Sequence, residues 1–266
     1  MTSGADAIIL DLEDSVALAN KTVARNTVAA ALGNRLRPRS PALWVRLNPL
    51  GSGLVEADLA AVVAGAPGGF VLPKAEGGAA VAIVAELLDA LGDHESAILP
   101  IATETPTAMF ALGTYGGMGN RLAGLTWGAE DLSAAVGATS PRDSDGALTA
   151  PYQVARTLCL FGAAAAEVPA IETVYPDFRD LDGLMAYAER GRRDGFTGMM
   201  AIHPAQVPVI NAVFQPSDAE VAFARRIVEA FATEPGVGVV AIDGKMIDAP
   251  HLKQAERILA QAREPS

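Results

Sequence analysis

The sequence predicts an α/β protein, a (β/α) barrel followed by a C-terminal helical extension. Short apolar runs alternate with helical patterns from the start of the chain to about residue 203. Charged residues stand where the apolar runs end, as is typical of the carboxyl ends of parallel strands. Beyond that point the alternation stops and two amphipathic helical patterns follow. We therefore predict a barrel over residues 1–215 and a helical extension or lid over residues 216–266.

The predicted strands are apolar runs bounded by turn residues, and the count is one short of the eight in a complete barrel. The seven runs are Ala5–Asp14, Leu43–Asn48, Gly69–Lys74, Ile98–Glu104, Leu122–Trp127, Ala170–Tyr175 and Met199–His203.

Helical periodicity fills the segments between these runs, which indicates crossover connections between parallel strands. The predicted helices cover Ala19–Leu32, Leu54–Val63, Ala79–Leu91, a stretch ending near Gly113, Pro151–Ala165, Leu181–Arg190, Asp218–Thr233 and a final helix to Ala262.

Composition narrows the class of protein. The net charge of −11 and the pI near 4.7 argue against a nucleic-acid partner, because no basic stripe is present to contact phosphates. No apolar stretch reaches the length of a membrane span, and the N-terminus lacks a signal-peptide pattern. With one cysteine, Cys159, the chain has no disulfide framework, which fits a cytoplasmic protein.

Two carboxylates follow consecutive strands and are the first candidates for a functional site. Glu104 ends the fourth predicted strand, and Asp131 closely follows the fifth. Because parallel strands bring their carboxyl ends to one rim, these acids would suit a hard divalent cation with open positions for substrate oxygens and water. The alternative is that both acids cap helices, a common role in such loops.

Two further features of the sequence carry charge, an arginine within an apolar run and a segment between the last two helical patterns. Arg46 lies inside an apolar run and therefore needs an anionic partner. Asp243, Lys245 and Asp248 stand between the two helices of the extension. This segment is either a surface hairpin or a lid that brings a carboxylate to an active site.

Seven short motifs, in order along the chain, together resemble the citrate lyase β-subunit-like proteins and the malyl-CoA and citramalyl-CoA lyases of the HpcH/HpaI aldolase superfamily. The motifs are Leu-Asp-Leu-Glu-Asp-Ser-Val (10–16), Val-Arg-Leu-Asn (45–48), Leu-Pro-Lys (72–74), Thr-Glu-Thr (103–105), Gly-Ala-Glu-Asp-Leu (128–132), Ile-His-Pro-Ala-Gln (202–206) and Asp-Gly-Lys-Met-Ile-Asp (243–248).

The resemblance implies a TIM (β/α)8-type barrel, trimeric or hexameric, that binds Mg²⁺, with Mn²⁺ as the alternative ion. It further implies that the enzyme makes or breaks a carbon–carbon bond beside a CoA thioester. By the family pattern, Glu104 and Asp131 correspond to metal ligands, with Glu104 also at the substrate. Arg46 corresponds to the residue that holds the carboxylate of a 2-oxo acid.

The resemblance implies roles for other residues as well. The backbone amides at Gly128 and Ala129 would help to seat the 2-oxo acid, and Asp248 would act as acid or base, often in a neighbouring subunit's site. A second group of side chains would tune water and charge around the site, although Asp14 could instead cap a helix. This group comprises Asp11, Glu13, Asp14 and Lys74.

The chain departs from the family pattern at its start, where relatives carry a strand before the segment that here is Gly4–Asp6. We expect this first strand to be missing, which bears on barrel closure and thioester binding. Two alternatives to a CoA-ester lyase therefore stay open. One is an aldolase of the same superfamily that acts on free acids, and the other is a catalytically silent homologue that serves as a scaffold.

Overall fold

The computed structural model describes residues 4–34, 41–144, 146–233 and 236–262. The chain divides into two compact units, Met1–Ile210 and Asn211–Ser266. The division at residue 215 that we expected from the sequence remains a prediction of domain limits. Among the residues described, no helix is both long enough and apolar enough to cross a membrane.

Among the residues that the structure describes, seven parallel strands form the centre of the first unit, one for each predicted run and each shorter than predicted. β1 to β4 form one sheet in chain order, and β5 to β7 form a second. Isolated parallel bridges, Ile98 to Leu122 and Ile101 to Thr126, connect the β4 and β5 segments. The strands are β1 (Ala7–Asp11), β2 (Ala42–Arg46), β3 (Gly69–Leu72), β4 (Ile98–Pro100), β5 (Leu125–Thr126), β6 (Ala170–Glu172) and β7 (Gly198–Met199).

Neighbouring strands in these sheets are also neighbours along the chain, and helical segments connect them. This order confirms the predicted α/β class with parallel strands and is the winding found in (β/α) barrels. The sequence analysis counted seven strands and left closure of the barrel open, and within the described part of the chain no pairing joins β7 to β1.

The helices also follow the prediction, with three exceptions. Helix α4 ends at Met109 instead of near Gly113 and is followed by a 3₁₀ turn, and α5 and α8 were not predicted. In the first unit the helices are α1 (Lys21–Gly33), α2 (Val55–Val62), α3 (Gly78–Ala90), α4 (Pro106–Met109), α5 (Glu130–Ala135), α6 (Ala150–Ala165) and α7 (Leu181–Asp194), and α8 (Val207–Phe214) crosses into the second unit.

The core lies between strands and helices. All four residues of β3 are fully buried, as expected for a parallel strand with both faces covered. Helix α3 turns its apolar side, Val81, Val84 and Leu88, into this core. Burial fixes the strands, so the loops at their carboxyl ends are held in defined positions.

Gly78 shows how closely α3 packs against its surroundings. Its amide donates to Thr114 Oγ1 at 2.9 Å, and a Cβ at this position would overlap the Thr114 carbonyl oxygen. A close approach of backbone to backbone leaves no room for a side chain.

We expect Gly78→Ala to destabilise the protein by about 1–3 kcal/mol, because overlap with backbone outweighs the usual gain of replacing glycine by alanine in a helix. Denaturant unfolding measures the change. Gly113→Ala is the matched control, since a Cβ there meets no atom within 4 Å. Equal stability of the two variants would show that α3 can shift to accommodate the methyl group.

Beyond the end of α8, the described residues of the second unit form two helices around an antiparallel hairpin, which agrees with the predicted helical extension. Its elements are α9 (Asp218–Thr233), β8 (Val239–Ile242), β9 (Lys245–Asp248) and α10 (Ala249–Gln261). Asp243 and Gly244 form the turn, both with positive φ (51° and 74°), as a two-residue hairpin turn requires. Buried side chains shared by the helices and the hairpin form its own small core, namely Ala224, Ile227, Ile242, Ile247 and Ala255.

Candidate active site

The charged residues selected from the first unit meet where β1 to β5 end. Strand register begins this arrangement, because Asp11 and Arg46 are the last residues of β1 and β2 and lie opposite each other. Arg46 Nε and Nη2 each donate to one oxygen of Asp11 at 2.7 Å. The sequence required an anionic partner for Arg46, and the structure provides Asp11.

The Asp11 carboxylate also organises the turn after β1. It accepts hydrogen bonds from the amides of Glu13 (2.9 Å) and Ser15 (3.2 Å). Burial opposes ionisation of Asp11, but the hydrogen bonds from Arg46 and from this turn lower its pKa well below the usual range. Asp11 is therefore a fixed anion, and it occupies the Nε–Nη2 side of the Arg46 guanidinium.

Glu13 lies buried between two cations. Its Oε1 is 2.6 Å from Lys74 Nζ, and its Oε2 is 2.9 Å from Arg46 Nη1. The second contact is an ion pair and not a hydrogen bond, since Glu13 Oε2 has no hydrogen-bond partner. Burial raises the pKa of Glu13, and the two cations oppose that rise without cancelling it. Removing either cation would leave a poorly compensated buried carboxylate.

Lys74 links Glu13 to both candidate metal ligands. Its backbone N–H donates to Glu104 Oε2 at 2.6 Å, and its Nζ lies 3.2 Å from Asp131 Oδ1. The residue adopts a positive φ of 50°, which is unusual for a residue with a side chain. This conformation places the Lys74 amide beside Glu104 while the Lys74 side chain contacts Asp131.

Glu104 is buried, and burial together with the charge of Asp131 raises its pKa to about 7, although the Lys74 amide favours the ionised form. Gly128 lies directly against it, since a Cβ on Gly128 would come within 3.1 Å of Glu104 Cγ. Any larger residue at position 128 would push this carboxylate aside.

Thr103 fastens the loop after β4 to the loop after β5. Its hydroxyl accepts from the amide of Gly128 at 3.0 Å and lies 3.1 Å from the carbonyl oxygen of the same residue. The loops that carry Glu104 and Asp131 are thus joined directly. The sequence analysis missed this role, for which the only signal is a threonine immediately before the glutamate. The Gly128 amide is consequently committed to Thr103 in this structure.

Two residues selected from the sequence differ from this group, Asp14 in its role and Asp248 in the unit to which it belongs. Asp14 is exposed and caps neither the 3₁₀ turn after β1, whose N-cap is Ala17, nor α1, whose N-cap is Asn20. The helix-capping alternative for Asp14 is therefore wrong, because the chain continues for several residues before α1 begins. Asp14 acts on the site only through its charge, which raises the pKa values of Glu13 and Arg46.

Asp248 belongs to the second unit, where it is the N-cap of α10 in a reciprocal capping arrangement with His251. Both side chains are about half exposed. The hydrogen bond with His251 lowers the pKa of Asp248. The sequence analysis did not identify His251, although Asp-x-x-His at a helix start has the spacing of a capping box.

The donor set at the β4 and β5 ends suits a hard divalent cation. Glu104 keeps Oε1, and Asp131 keeps Oδ2, beyond the oxygens that contact Lys74. The part of the chain that the structure describes contains no group of three or more histidine, cysteine or acidic side chains arranged to hold a metal. Two carboxylates with the remaining positions left to water and substrate are typical of Mg²⁺ sites.

A second charged cluster, which the sequence did not reveal, lies at the end of β6. The buried carboxylate of Glu172 accepts from Trp127 Nε1 (2.6 Å), Arg156 Nε (2.8 Å) and Tyr187 OH (3.2 Å). Arg156 also contacts Asp194 at 2.7 Å. The partners of Glu172 come from the residue after β5, from α6 and from α7, so the cluster stabilises the packing of these helices against the strands. An arginine within the apolar pattern of α6 was the available signal.

Comparison with known proteins places this chain and its fold in one class. Residues 1–204 match the HpcH/HpaI aldolase/citrate lyase family. The chain belongs to this family, which confirms the resemblance inferred from the seven motifs.

Individual relatives are similar over nearly the whole chain. A (3S)-malyl-CoA thioesterase of Cereibacter sphaeroides is 35% identical over 97% of this chain and 87% of its own length. A mitochondrial citramalyl-CoA lyase of Rattus norvegicus is 32% identical over 97% of this chain and 79% of its own length. Among solved structures, CitE of Mycobacterium tuberculosis in complex with magnesium, acetoacetate and coenzyme A matches with a TM-score of 0.76 at 35% identity, covering 98% of this chain and 91% of that one.

Proposed function

We propose that the protein is a Mg²⁺-dependent carbon–carbon lyase that acts on a 3-hydroxyacyl-CoA such as malyl-, citramalyl- or citryl-CoA. The products are an acyl-CoA and a 2-oxo acid. The observation that carries the proposal is the placement of Glu104 and Asp131 on one rim, both in contact with Lys74. Similarity to a citramalyl-CoA lyase and to a magnesium- and CoA-bound CitE supports this choice of reaction.

The proposed reaction consumes no water, and few protein groups are needed to catalyse it. The substrate hydroxyl loses its proton, the bond between the hydroxyl-bearing carbon and the thioester α-carbon breaks, and the α-carbon gains a proton. Mg²⁺, or Mn²⁺ as the alternative, would supply Lewis acidity and would be held by Glu104 and Asp131.

Arg46 would orient the carboxylate of the 2-oxo acid. Asp11 occupies the Nε–Nη2 side of the guanidinium and Glu13 Oε2 lies 2.9 Å from Nη1, so the substrate contact would fall to the N–H groups of Nη1 and Nη2 that these two carboxylates leave free. A guanidinium already held by two carboxylates loses little freedom when it binds a third, which favours orientation of the reacting bond.

Two other roles complete the proposed site. The Ala129 amide would contact the same substrate carboxylate, since the Gly128 amide donates to Thr103. Asp248, in a neighbouring subunit's site as the resemblance implies, would move the proton at the thioester α-carbon. Its hydrogen bond with His251 favours the ionised form, which takes that proton in the condensation direction, and the resulting carboxylic acid returns the proton to the α-carbon in cleavage. The trimeric or hexameric assembly and the cytoplasmic location remain predictions.

An assay with two readouts tests the reaction. Malyl-, citramalyl- and citryl-CoA are each incubated with the protein in Mg²⁺ or in EDTA, and 2-oxo acid and free CoA thiol are measured in parallel. A lyase releases 2-oxo acid and keeps the thioester, whereas a thioesterase releases thiol and no 2-oxo acid. We expect Mg²⁺-dependent 2-oxo acid without thiol. Thiol alone would favour the thioesterase reaction, and turnover of free hydroxy-acids alone would favour the CoA-independent aldolase. Silence of the folded protein would favour the scaffold.

The raised pKa of Glu104 predicts that Mg²⁺ stabilises the protein more at pH 8 than at pH 6. Because the folded-state pKa of about 7 exceeds the ordinary value of 4.5, the folded state binds more protons than the unfolded state between these values, so its stability falls as pH rises through them. Above pH 7 the buried, ionised carboxylate is destabilising, and a bound cation offsets this cost.

Thermal unfolding with Mg²⁺ and with EDTA at both pH values measures the effect. We expect a larger Mg²⁺-dependent rise in Tm at pH 8. An equal rise at pH 6 and pH 8 would contradict the assignment of Glu104 as a ligand that must lose its proton.

A further inference from the structure

Lys74 combines an unusual backbone conformation with contacts to three carboxylates. Its positive φ of 50° is strained for a residue with a side chain, and such strain persists where the surrounding structure imposes it. The contacts explain the conformation: the amide reaches Glu104, and the ammonium lies between Glu13 and Asp131 at 2.6 and 3.2 Å. No other described residue connects Glu13 to both proposed ligands through these contacts.

The fully ionised side chains connected through Lys74 carry the charge that would balance one divalent cation. The connected group contains four carboxylates, Asp11, Glu13, Glu104 and Asp131, and two cations, Arg46 and Lys74. With every group ionised the net charge is −2, the exact counterpart of one Mg²⁺. Without the ammonium the group would carry a further negative charge and attract the metal more strongly.

We propose that Lys74 is a positioning residue that fixes Asp131 through its ammonium and Glu104 through its amide, and that the same ammonium limits the affinity of the site for its divalent cation. The inference rests on the proposed function, because it uses Glu104 and Asp131 as the ligand pair. It assigns Lys74 a purpose beyond charge balance, because a site of limited affinity would leave its divalent cation exchangeable.

Two effects of losing the ammonium oppose each other, and their sizes decide the expected sign. Asp131 would lose an ordering contact, but it is partly exposed, and a single exposed ion pair contributes little. The metal would lose the repulsion of an ammonium that touches one of its own ligands, and because the metal is divalent this repulsion is about twice the interaction of two single charges at the same distance. We therefore expect tighter metal binding when the ammonium is removed.

The test is a titration of the metal-free full-length protein with Mn²⁺ alone at pH 8, in which the EPR signal of free Mn²⁺ reports binding. Lys74→Met removes the ammonium and keeps a side chain on the strained backbone. Lys74→Gly removes both ammonium and strain and keeps the amide. Lys74→Arg keeps the charge. Lys253→Met is the matched control, because it removes the charge of an exposed lysine in α10.

We expect Lys74→Met and Lys74→Gly to bind Mn²⁺ at least about tenfold more tightly than the unsubstituted protein, a change of about 1.4 kcal/mol. Lys74→Arg and Lys253→Met should stay within about threefold of it. In the lyase assay Lys74→Met should lower kcat more than it raises KM, and Lys74→Arg should recover most of the loss. Unchanged or weaker Mn²⁺ binding by both Lys74→Met and Lys74→Gly would overturn the inference.

The outcome also separates this inference from the proposed reaction. Tighter Mn²⁺ binding in a protein that releases no 2-oxo acid from any thioester would support the role of Lys74 in metal affinity and overturn the lyase. Absence of Mn²⁺ binding in all five proteins would overturn both.

Discussion

Glu104→Gln and Asp131→Asn are each expected to lower kcat/KM of the proposed lyase by about a thousandfold or more. Loss of Lewis-acid catalysis amounts to several kcal/mol, and a thousandfold corresponds to about 4 kcal/mol. Each variant removes one of the two proposed protein ligands while leaving the shape of the side chain intact. Activity measured across a Mg²⁺ series distinguishes lost binding from lost chemistry.

Glu130→Gln is the matched control for both variants. Glu130 precedes Asp131, loses the same charge on substitution and is exposed at the start of α5. We expect it to retain activity within about twofold. Misfolding is excluded by a second measurement: Glu104→Gln should raise Tm in EDTA at pH 8, because it removes a buried carboxylate whose pKa burial has raised. Near-normal activity of Glu104→Gln or Asp131→Asn would refute the assignment of that residue as a ligand.

Asp248→Asn is expected to lower kcat by about 10²- to 10⁴-fold, the usual contribution of a general acid or base. Asparagine cannot move a proton at the thioester α-carbon, but it is as good an N-cap as aspartate, so α10 should keep its stability. KM should change little, since the proposed role lies in the chemical step. Steady-state kinetics and thermal unfolding of the same preparation separate the two effects.

Asp243→Asn provides the control from the same hairpin. Asp243 adopts a positive φ that asparagine tolerates, and its exposed ion pair with Arg226 contributes little stability. This variant should retain activity within about twofold. If Asp248→Asn and Asp243→Asn had the same kcat, Asp248 would be no more than a helix cap, and the hairpin would have no catalytic part.

The parts of the fold that repeat along the chain could be predicted from sequence. All seven strands carry local apolar patterns, and the parallel order then brings Asp11, Arg46, Lys74, Glu104 and Asp131 to strand ends on one rim. Helix α5 was not predicted because it is short and its first turn is acidic. Glu130 and Asp131 therefore resembled loop residues in the sequence. Short elements of this kind depend on tertiary contacts more than on local periodicity.

The partners within the site could not be predicted, because they depend on register and distant contacts. Nothing local to Arg46 shows that strand register places Asp11 on its Nε–Nη2 side. The positive φ of Lys74 likewise follows from contacts with residues far along the chain. The contacts of Glu172 could not be predicted for the same reason, since its hydrogen-bond donors come from three separate segments of the chain.

The alternation of anions and cations from Asp11 through Arg46, Glu13 and Lys74 to Asp131 constrains how such a site can change over time. Each charge has a neighbour of opposite sign, so one substitution that reverses a sign leaves one neighbour poorly matched at either end of the series and two within it. Viable changes would therefore occur in compensating pairs, and new substrate preferences should arise first in the loops around the group. Redesign of specificity would do best to leave these five residues untouched.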